Sequence, residues 1–187
     1  GNYNILNILA SILVCDNLGL KLEQIIHAIN TLEKVPGRFE SYKTKHNGVV
    51  IIDYAHTPDA FDKILSLVKE IDPNRKIISL FGCGGNRDKS KRPMMAKISE
   101  KYSDQIIITD DNPRYESSDE IIKEIISGFK YKKYKIIKNR KKAIEELVEN
   151  LTRNDTLLIL GKGVENYQII EDEKIYHNDI ETVKSFI

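Results

Sequence analysis

Residues 109–116 read TDDNPRYE, which sets two carboxylates, an amide, a proline and a guanidinium in direct succession after an isoleucine run. Asp111 and Arg114 are the groups a protein would hold out to a ligand carrying both an ammonium and a carboxylate, and Asn112 adds a neutral donor and acceptor. Pro113 fixes its own φ and pushes Asn112 out of the helical region, so the loop has a defined shape before the next helix. The same residues also make an ordinary Asx-type turn with a surface ion pair worth under about 1 kcal/mol, and the tetrapeptide alone leaves both readings open.

Three other stretches have a similar polarity: DYAHTPD at 53–59, FGCGGNRDKSKRP at 81–93 and LGKGVENYQ at 160–168. Together with TDDNPRYE they carry Asp53, His56, Arg87, Asp88, Lys89, Lys91, Arg92, Asp111, Arg114, Lys162 and Glu165. Gly82, Gly84 and Gly85 let a backbone approach a ligand or take positive φ. The chain contains no GxxxxGK(S/T), and Asp88 stands where GxGxxG needs its third glycine, so GCGG reads equally as a plain tight turn. Arg87 can bind a carboxylate or phosphate through two parallel hydrogen bonds, which lysine cannot; a solvated loop arginine is the alternative.

These loops need a scaffold that gathers them. Short apolar runs at Val49–Ile52, Ile77–Phe81, Ile106–Ile108, Lys135–Ile137 and Leu157–Leu160 alternate with helical patterns at roughly 59–71, 89–102, 118–129 and 140–151. Uniformly apolar strands between amphipathic helices predict an α/β fold over about 38–187: a Rossmann-like, doubly wound, mostly parallel sheet with helices on both faces. Thr57 followed by Pro58 reads as an N-cap with proline at N1, and Ser117 with Glu120 as a capping box. Ligands bind outside the carboxyl ends of such strands, where all four polar stretches fall. Ahead of this domain, Ile5, Leu6, Leu9, Ile12 and Leu13 and then Leu22, Ile25, Ile26 and Ile29 predict two helices, closed off by Pro36 and Gly37.

Length and composition narrow the function classes. The chain has 187 residues, enough for one good core, and is 41% hydrophobic. Its 29 basic residues nearly cancel 28 acidic ones, which argues against a nucleic-acid or membrane-surface partner. Cys15 and Cys83 belong to no CxxC or Cys/His cluster, so buried thiols are expected rather than a disulfide or a metal site. No apolar run approaches a membrane span and no signal pattern is present, so a cytoplasmic location is expected. Opening on an apolar helix, without methionine or a leading strand, the sequence is expected to be a fragment.

With the loops assembled, the chain resembles the Mur ligase family, in the branch that adds a diamino acid to UDP-N-acetylmuramoyl-L-alanyl-D-glutamate. NYNILN (2–7), VPGRFE (35–40), DYAHTPDA (53–60), FGCGGNRDKSKRP (81–93), TDDNPR (109–114) and GKGVENYQ (161–168) occur in the family's order along nearly the whole chain. The resemblance implies that residues 1–36 are the closing helices of a central ATP-binding domain and 37–187 the carboxy-terminal domain. The P-loop, the magnesium ligands and a carbamoylated lysine would lie in parts not present here, so the fragment alone should be inactive, contributing no catalytic residue and no metal ligand. ATP and Mg2+ are the implied cofactors, with Mg2+ held mainly by the missing domain. A diamino acid, UDP-MurNAc-dipeptide and ATP are the implied partners, and a monomer is expected.

Carried over by position, the resemblance puts Asn4 and Asn7 near the adenine, Arg38 facing the nucleotide and Asp53 on its ribose side. His56, and with it Lys89, would line the cleft. Arg87, Asp111, Asn112, Pro113, Arg114, Gly161 and Glu165 would hold the incoming amino acid: Arg87 and Arg114 on carboxylate, Asp111 and Glu165 on the distal ammonium. The DNPR form is the one associated with meso-diaminopimelate. One departure stands out, because Val164 replaces the family's usual histidine; an analogue with two zwitterionic ends, such as lanthionine, then enters as an alternative ligand. Outside this branch stand two other readings: a Mur ligase for L-lysine, a preformed tripeptide or folate, and a stand-alone nucleotide- or phosphate-binding module built on GCGG, Lys89 and Lys91.

Overall fold

The computed structural model describes residues 2–33, 35–131 and 134–187, with side chains described from Ile5 onward. The chain forms two compact units, Gly1–Val35 and Pro36–Ile187. The first holds α1 (Asn2–Asn17) and α2 (Leu22–Asn30), separated by a turn in which Gly19 takes φ +82°. The periodicity predicted both helices, yet among the described residues of this unit only Ile25 is buried, while Ile5, Leu6, Leu9 and Leu13 stay exposed. Two short helices cannot enclose a core of their own. Cys15 is accordingly half-exposed and not the buried thiol expected from its type, whereas Cys83 is buried.

The second unit is the α/β domain. Its elements are β1 (Glu40–Lys43), β2 (Val49–Asp53), α3 (Pro58–Ile71), β3 (Lys76–Phe81), α4 (Lys91–Tyr102), β4 (Gln105–Ile108), α5 (Ser118–Ile126), β5 (Tyr134–Ile136), α6 (Arg140–Asn150), β6 (Asp155–Leu160), β7 (Tyr167–Ile170), β8 (Glu173–Tyr176) and α7 (Asp179–Lys184). Six strands make one sheet in the order β1-β2-β6-β3-β4-β5, parallel throughout except for β1, which pairs antiparallel at the edge. Alternate residues of each strand point to opposite faces, so a strand apolar at every position must be covered twice. On one face Ile51, Ile77, Phe81, Ile106 and Leu158 pack with Phe61, Leu65, Met95 and Ile125 of α3, α4 and α5. On the other, Val50, Ile52, Leu80, Ile107 and Ile159 pack with Ala143, Ile144 and Val148 of α6 and Val183 of α7.

The caps are partly as read. Thr57 Oγ1 accepts from the Ala60 amide with Pro58 at N1. Ser117, in contrast, makes no side-chain cap, and the neighbouring Ser118 hydroxyl donates to the half-buried Asp110 carboxylate. β1 and the β7–β8 hairpin carry no continuous apolar run, because both are exposed on at least one side.

Candidate functional site

The ladder register sets the site. Asp53 pairs with Leu160, Leu80 with Ile159, and Phe81 with Ile108, so four parallel strands end at one level. The loops that leave them enclose a cleft of about 310 Å3 whose lining includes Tyr54, His56, Arg87, Asp111, Arg114 and Glu165. A hollow of about 420 Å3 opens at the other end of the sheet, beside Lys76, Asp104 and Asp155. That end receives the amino termini of the strands, where a parallel sheet rarely presents its ligand groups.

The loops hold one another. The Gly85 amide donates to Asn112 O (2.8 Å), and Arg114 Nη1 donates to Gly85 O (2.9 Å). Arg92 is wholly buried and donates from Nη2 to Gly84 O (3.0 Å) and from Nη1 to Glu116 and Glu124 (2.9 and 2.7 Å). The Arg92 guanidinium, helped by the Asn86 amide and Lys89, pulls Glu116 down to about 2. The glycines are required by space: a Cβ on Gly82 would lie 2.1 Å from Thr109 O, and one on Gly85 would lie 1.8 Å from Pro113 O. The GCGG backbone therefore serves to seat the DNPR loop, with its Gly85 amide and two of its carbonyls already engaged.

The β7–β8 hairpin braces the DNPR loop from the other side. Gln168 Nε2 donates to the Asp110 and Asp111 carbonyls (3.2 and 2.8 Å), and the Ile169 amide donates to Asn112 Oδ1 (2.9 Å). The Arg114 amide donates to Ile169 O and its carbonyl accepts from the Glu171 amide, while Arg114 itself sits at φ +52°. This backbone turn sends its guanidinium over the GCGG loop. Sequence reading did not find Gln168 or the hairpin, for YQIIEDEKIY has neither a turn glycine nor a clean alternation of apolar residues.

Asn112 is buried, and its amide is largely committed inside the protein. Oδ1 accepts from Lys162 Nζ (3.1 Å) as well as from Ile169, and Nδ2 donates to Glu165 Oε2 (3.1 Å). Lys162 Nζ also reaches Glu165 Oε2 at 3.0 Å. Glu165 Oε1 and the Asp111 carboxylate make no hydrogen bond or ion pair among the described residues and face the same cleft. Gly161, at φ +112°, passes beside Asp111 so closely that a Cβ would lie 3.1 Å from Oδ2. Arg87 is exposed and forms no ion pair among the described residues. The cleft thus combines two open carboxylate positions with two guanidinium groups, the composition a zwitterionic ligand requires.

Several expected roles shift. Lys89 does not line the cleft; it sits beside Glu116 (3.1 Å) and Glu124 (3.7 Å), drawn off by the acids that neutralise Arg92. Lys91 takes the cleft position, donating to His56 O (2.9 Å). Asp53 uses one oxygen on the Phe39 amide (2.8 Å) and the other on the Ala55 amide (2.7 Å), which anchors the incoming chain and the loop after β2. His56 does line the cleft, exposed, with Nδ1 2.8 Å from Tyr54 O and its ring edge-on to Tyr54. The Arg38 guanidinium lies 4.7 Å from the Tyr54 ring centre. Asn7 is in the two-helix unit with an exposed side chain, and the side chain of Asn4 lies outside the described residues.

Behind the cleft is a buried cluster that the sequence did not announce. Arg140 clasps Asp179 through Nε and Nη2 (2.9 and 2.8 Å) and gives Nη2 also to Leu160 O (3.1 Å), while His177 Nε2 lies 2.7 Å from Asp179 Oδ1. Burial alone would raise the Asp179 carboxyl, but the facing Arg140 guanidinium holds it well below the usual range. Cys83, in the cleft wall, is pushed up to about 12 by burial and by the nearby Asp111 charge. No group of three or more His, Cys, Asp or Glu side chains suited to a metal ion occurs among the described residues, and no described helix is long and apolar enough to cross a membrane.

Comparison with known proteins sharpens this picture. Residues 37–163 match the family model described as Mur ligase, glutamate ligase domain. Over its full length the chain is 44% identical to the UDP-N-acetylmuramoyl-L-alanyl-D-glutamate–2,6-diaminopimelate ligase 1 of Clostridium acetobutylicum, covering 39% of that protein. The corresponding ligase of Alkaliphilus oremlandii is 46% identical across 97% of the chain and 37% of its own length. A solved structure of a UDP-N-acetylmuramoyl-L-alanyl-D-glutamate–2,6-diaminopimelate ligase superposes with a TM-score of 0.76 at 32% identity, covering all of this chain and 38% of that one. An alanine-adding relative from Thermotoga maritima, at 24% identity and TM-score 0.66, shares the fold. The chain spans about two fifths of the length of the curated relatives it matches.

Proposed function

Because this chain belongs to the Mur ligase family, whose glutamate ligase domain it matches over residues 37–163, we propose that it is the amino-acid-binding part of an ATP-dependent ligase. The whole enzyme adds meso-diaminopimelate, or a close analogue with two zwitterionic ends, to UDP-MurNAc-L-Ala-D-Glu in peptidoglycan precursor synthesis. The observation that carries this reading is the convergence of Asp111 and Glu165 with Arg87 and Arg114 on one cleft of about 310 Å3. Asp111 Oδ and Glu165 Oε1 receive the distal ammonium, and the guanidinium groups receive the carboxylate. Pro113 and Asn112 shape the loop from beneath, and Gly161 keeps the space beside Asp111 open.

ATP, when bound, would supply the phosphoryl group that activates the D-glutamate carboxylate of the UDP-MurNAc-dipeptide for attack by the amine. Arg38, with Tyr54 beneath it, and Asp53 stand at the edge of the same rim, and the placement of Asn4 and Asn7 near the nucleotide rests on the resemblance alone. For Mg2+ the described residues provide no fitting ligand set, so no step of the chemistry is assigned to them through the metal. What this domain contributes is alignment of an amine against an acyl group that must be shielded from water.

The test is phosphate release by the full-length protein. Turnover is expected only with ATP, UDP-MurNAc-dipeptide and meso-diaminopimelate or a close analogue together; strong turnover with L-lysine and none with diaminopimelate would overturn the reading. A phosphate-binding module built on GCGG has less support, since the Gly85 amide and the Gly84 and Gly85 carbonyls are already bonded within the protein.

A further inference from the structure

Lys162 is a wholly buried lysine between two residues of the cleft. Its Nζ donates to Asn112 Oδ1 at 3.1 Å and to Glu165 Oε2 at 3.0 Å, and lies 5.7 Å from the Tyr167 ring centre. Asn112 Nδ2 closes the triangle on the same Glu165 oxygen at 3.1 Å. Three consequences follow from this arrangement. The Glu165 side chain is held in one orientation, Oε2 is neutralised inside the protein, and Oε1 alone remains open at the cleft. A buried cation so placed is too costly to be incidental, because it stays desolvated unless its partners are in position.

Resting on the amino-acid-binding reading above, we infer that Lys162 is a specificity-determining positioning residue: by cancelling one of the two carboxylates at the far end of the cleft, it selects a diamino acid whose distal carbon bears both ammonium and carboxylate. Removing Lys162 moves the local charge one unit toward negative. That change favours a ligand ending in ammonium alone, such as L-lysine, and disfavours one that also brings a carboxylate beside Glu165. Position 164 plays no such part, for Val164 is exposed and absent from the cleft wall, while Lys162 two residues earlier lies beneath it.

The experiment uses the full-length protein and compares wild type, Lys162→Gln, Lys162→Arg and the double variant Lys162→Gln with Glu165→Gln. In Lys162→Gln the ratio of kcat/KM for meso-diaminopimelate to that for L-lysine is expected to fall about 10- to 100-fold, the scale of a charge-assisted hydrogen bond, with KM for ATP unchanged. Lys162→Arg keeps the charge and retains most of the discrimination. The double variant is isoelectric with wild type and regains discrimination against L-lysine while its KM for diaminopimelate stays high. A purely structural lysine would lower Tm and depress both substrates alike, and an unchanged ratio in Lys162→Gln overturns the inference. Failure of the wild-type protein to use any diamino acid would instead overturn the reading on which it rests. Should Lys162→Gln not fold, Lys162→Met, which removes the charge and fills the same buried space, takes its place with the same two outcomes.

Discussion

Arg114 and Gly85 are bonded in a closed exchange: the guanidinium donates to Gly85 O at 2.9 Å while the Gly85 amide donates to the Asn112 carbonyl two residues before that arginine. Two loops from neighbouring strands therefore fold as one object. Gly85→Ala drives a methyl to within 1.8 Å of Pro113 O, a backbone atom that cannot step aside. It is expected to cost about 1–3 kcal/mol in urea unfolding. At Gly84 the new methyl meets the Arg114 Nη1 at 2.8 Å, the end of a flexible side chain. Gly84→Ala should leave the urea midpoint nearly unchanged and raise KM for the diamino acid in the full-length enzyme; equal stability losses in the two variants would refute the distinction.

Val164→His restores the residue usual in the family at a position that is 52% exposed and outside the cleft wall. The ratio of kcat/KM for diaminopimelate to that for lanthionine should remain within about twofold of wild type, a difference near 0.4 kcal/mol. A larger shift would place residue 164 in contact with the ligand after all.

Acid should weaken the domain through two carboxylates. Glu116 is drawn from 4.5 to about 2, first by its hydrogen bond from Arg92, and Asp179 is also depressed by Arg140 after burial has opposed the shift. Groups depressed in the folded state take up protons first in the unfolded chain, so their stabilisation is complete above the ordinary carboxylate range and is lost as pH falls from about 4.5 toward about 2. The urea midpoint should be lower at about pH 3 than at about pH 6, and Glu116→Gln should flatten part of that slope. Equal midpoints at the two pH values would contradict it.

Asp179→Asn leaves Arg140 buried with its charge uncompensated, and about 3–5 kcal/mol of stability is expected to go with it. Because Arg140 Nη2 also holds Leu160 O, next to Gly161, amide hydrogen exchange should quicken over residues 160–165 in particular. Exchange that rises uniformly across the sheet would argue against a local link.

Iodoacetamide at about pH 8 should modify the half-exposed Cys15 and spare Cys83, which burial keeps as the thiol. Mass spectrometry after digestion reads both sites, and labelling of Cys83 in the folded protein as fast as in denaturant would show that the cleft wall opens.

How far the sequence could be read depends on what each residue answers to. The parallel strands were legible because Ile51, Ile78, Ile107 and Leu158 belong to runs with no polar face, and the rim was legible because polar loops follow those runs. Asp111, Arg114 and Glu165 could be picked out by type. Their supports could not: Gln168 and the exposed hairpin have no periodic signature, and Arg140 meets Asp179 across 39 residues of chain. Residue type also does not say whether a neighbour has already taken a group, as at Lys89 and at the cleft residue Asn112. Glu116 and Glu124 draw Lys89 aside, and Lys162, Glu165 and Ile169 engage Asn112.

Arg114 keeps a left-handed backbone, φ +52°, that glycine would adopt without strain and arginine holds at a cost of order 1 kcal/mol. At this one residue a costly backbone angle and a bond between two loops come as a pair, since the guanidinium that donates to Gly85 O is carried on that turn. Arg114→Gly would relax the angle but lose that bond and add chain entropy to the unfolded state, so no gain in heat resistance is expected from it.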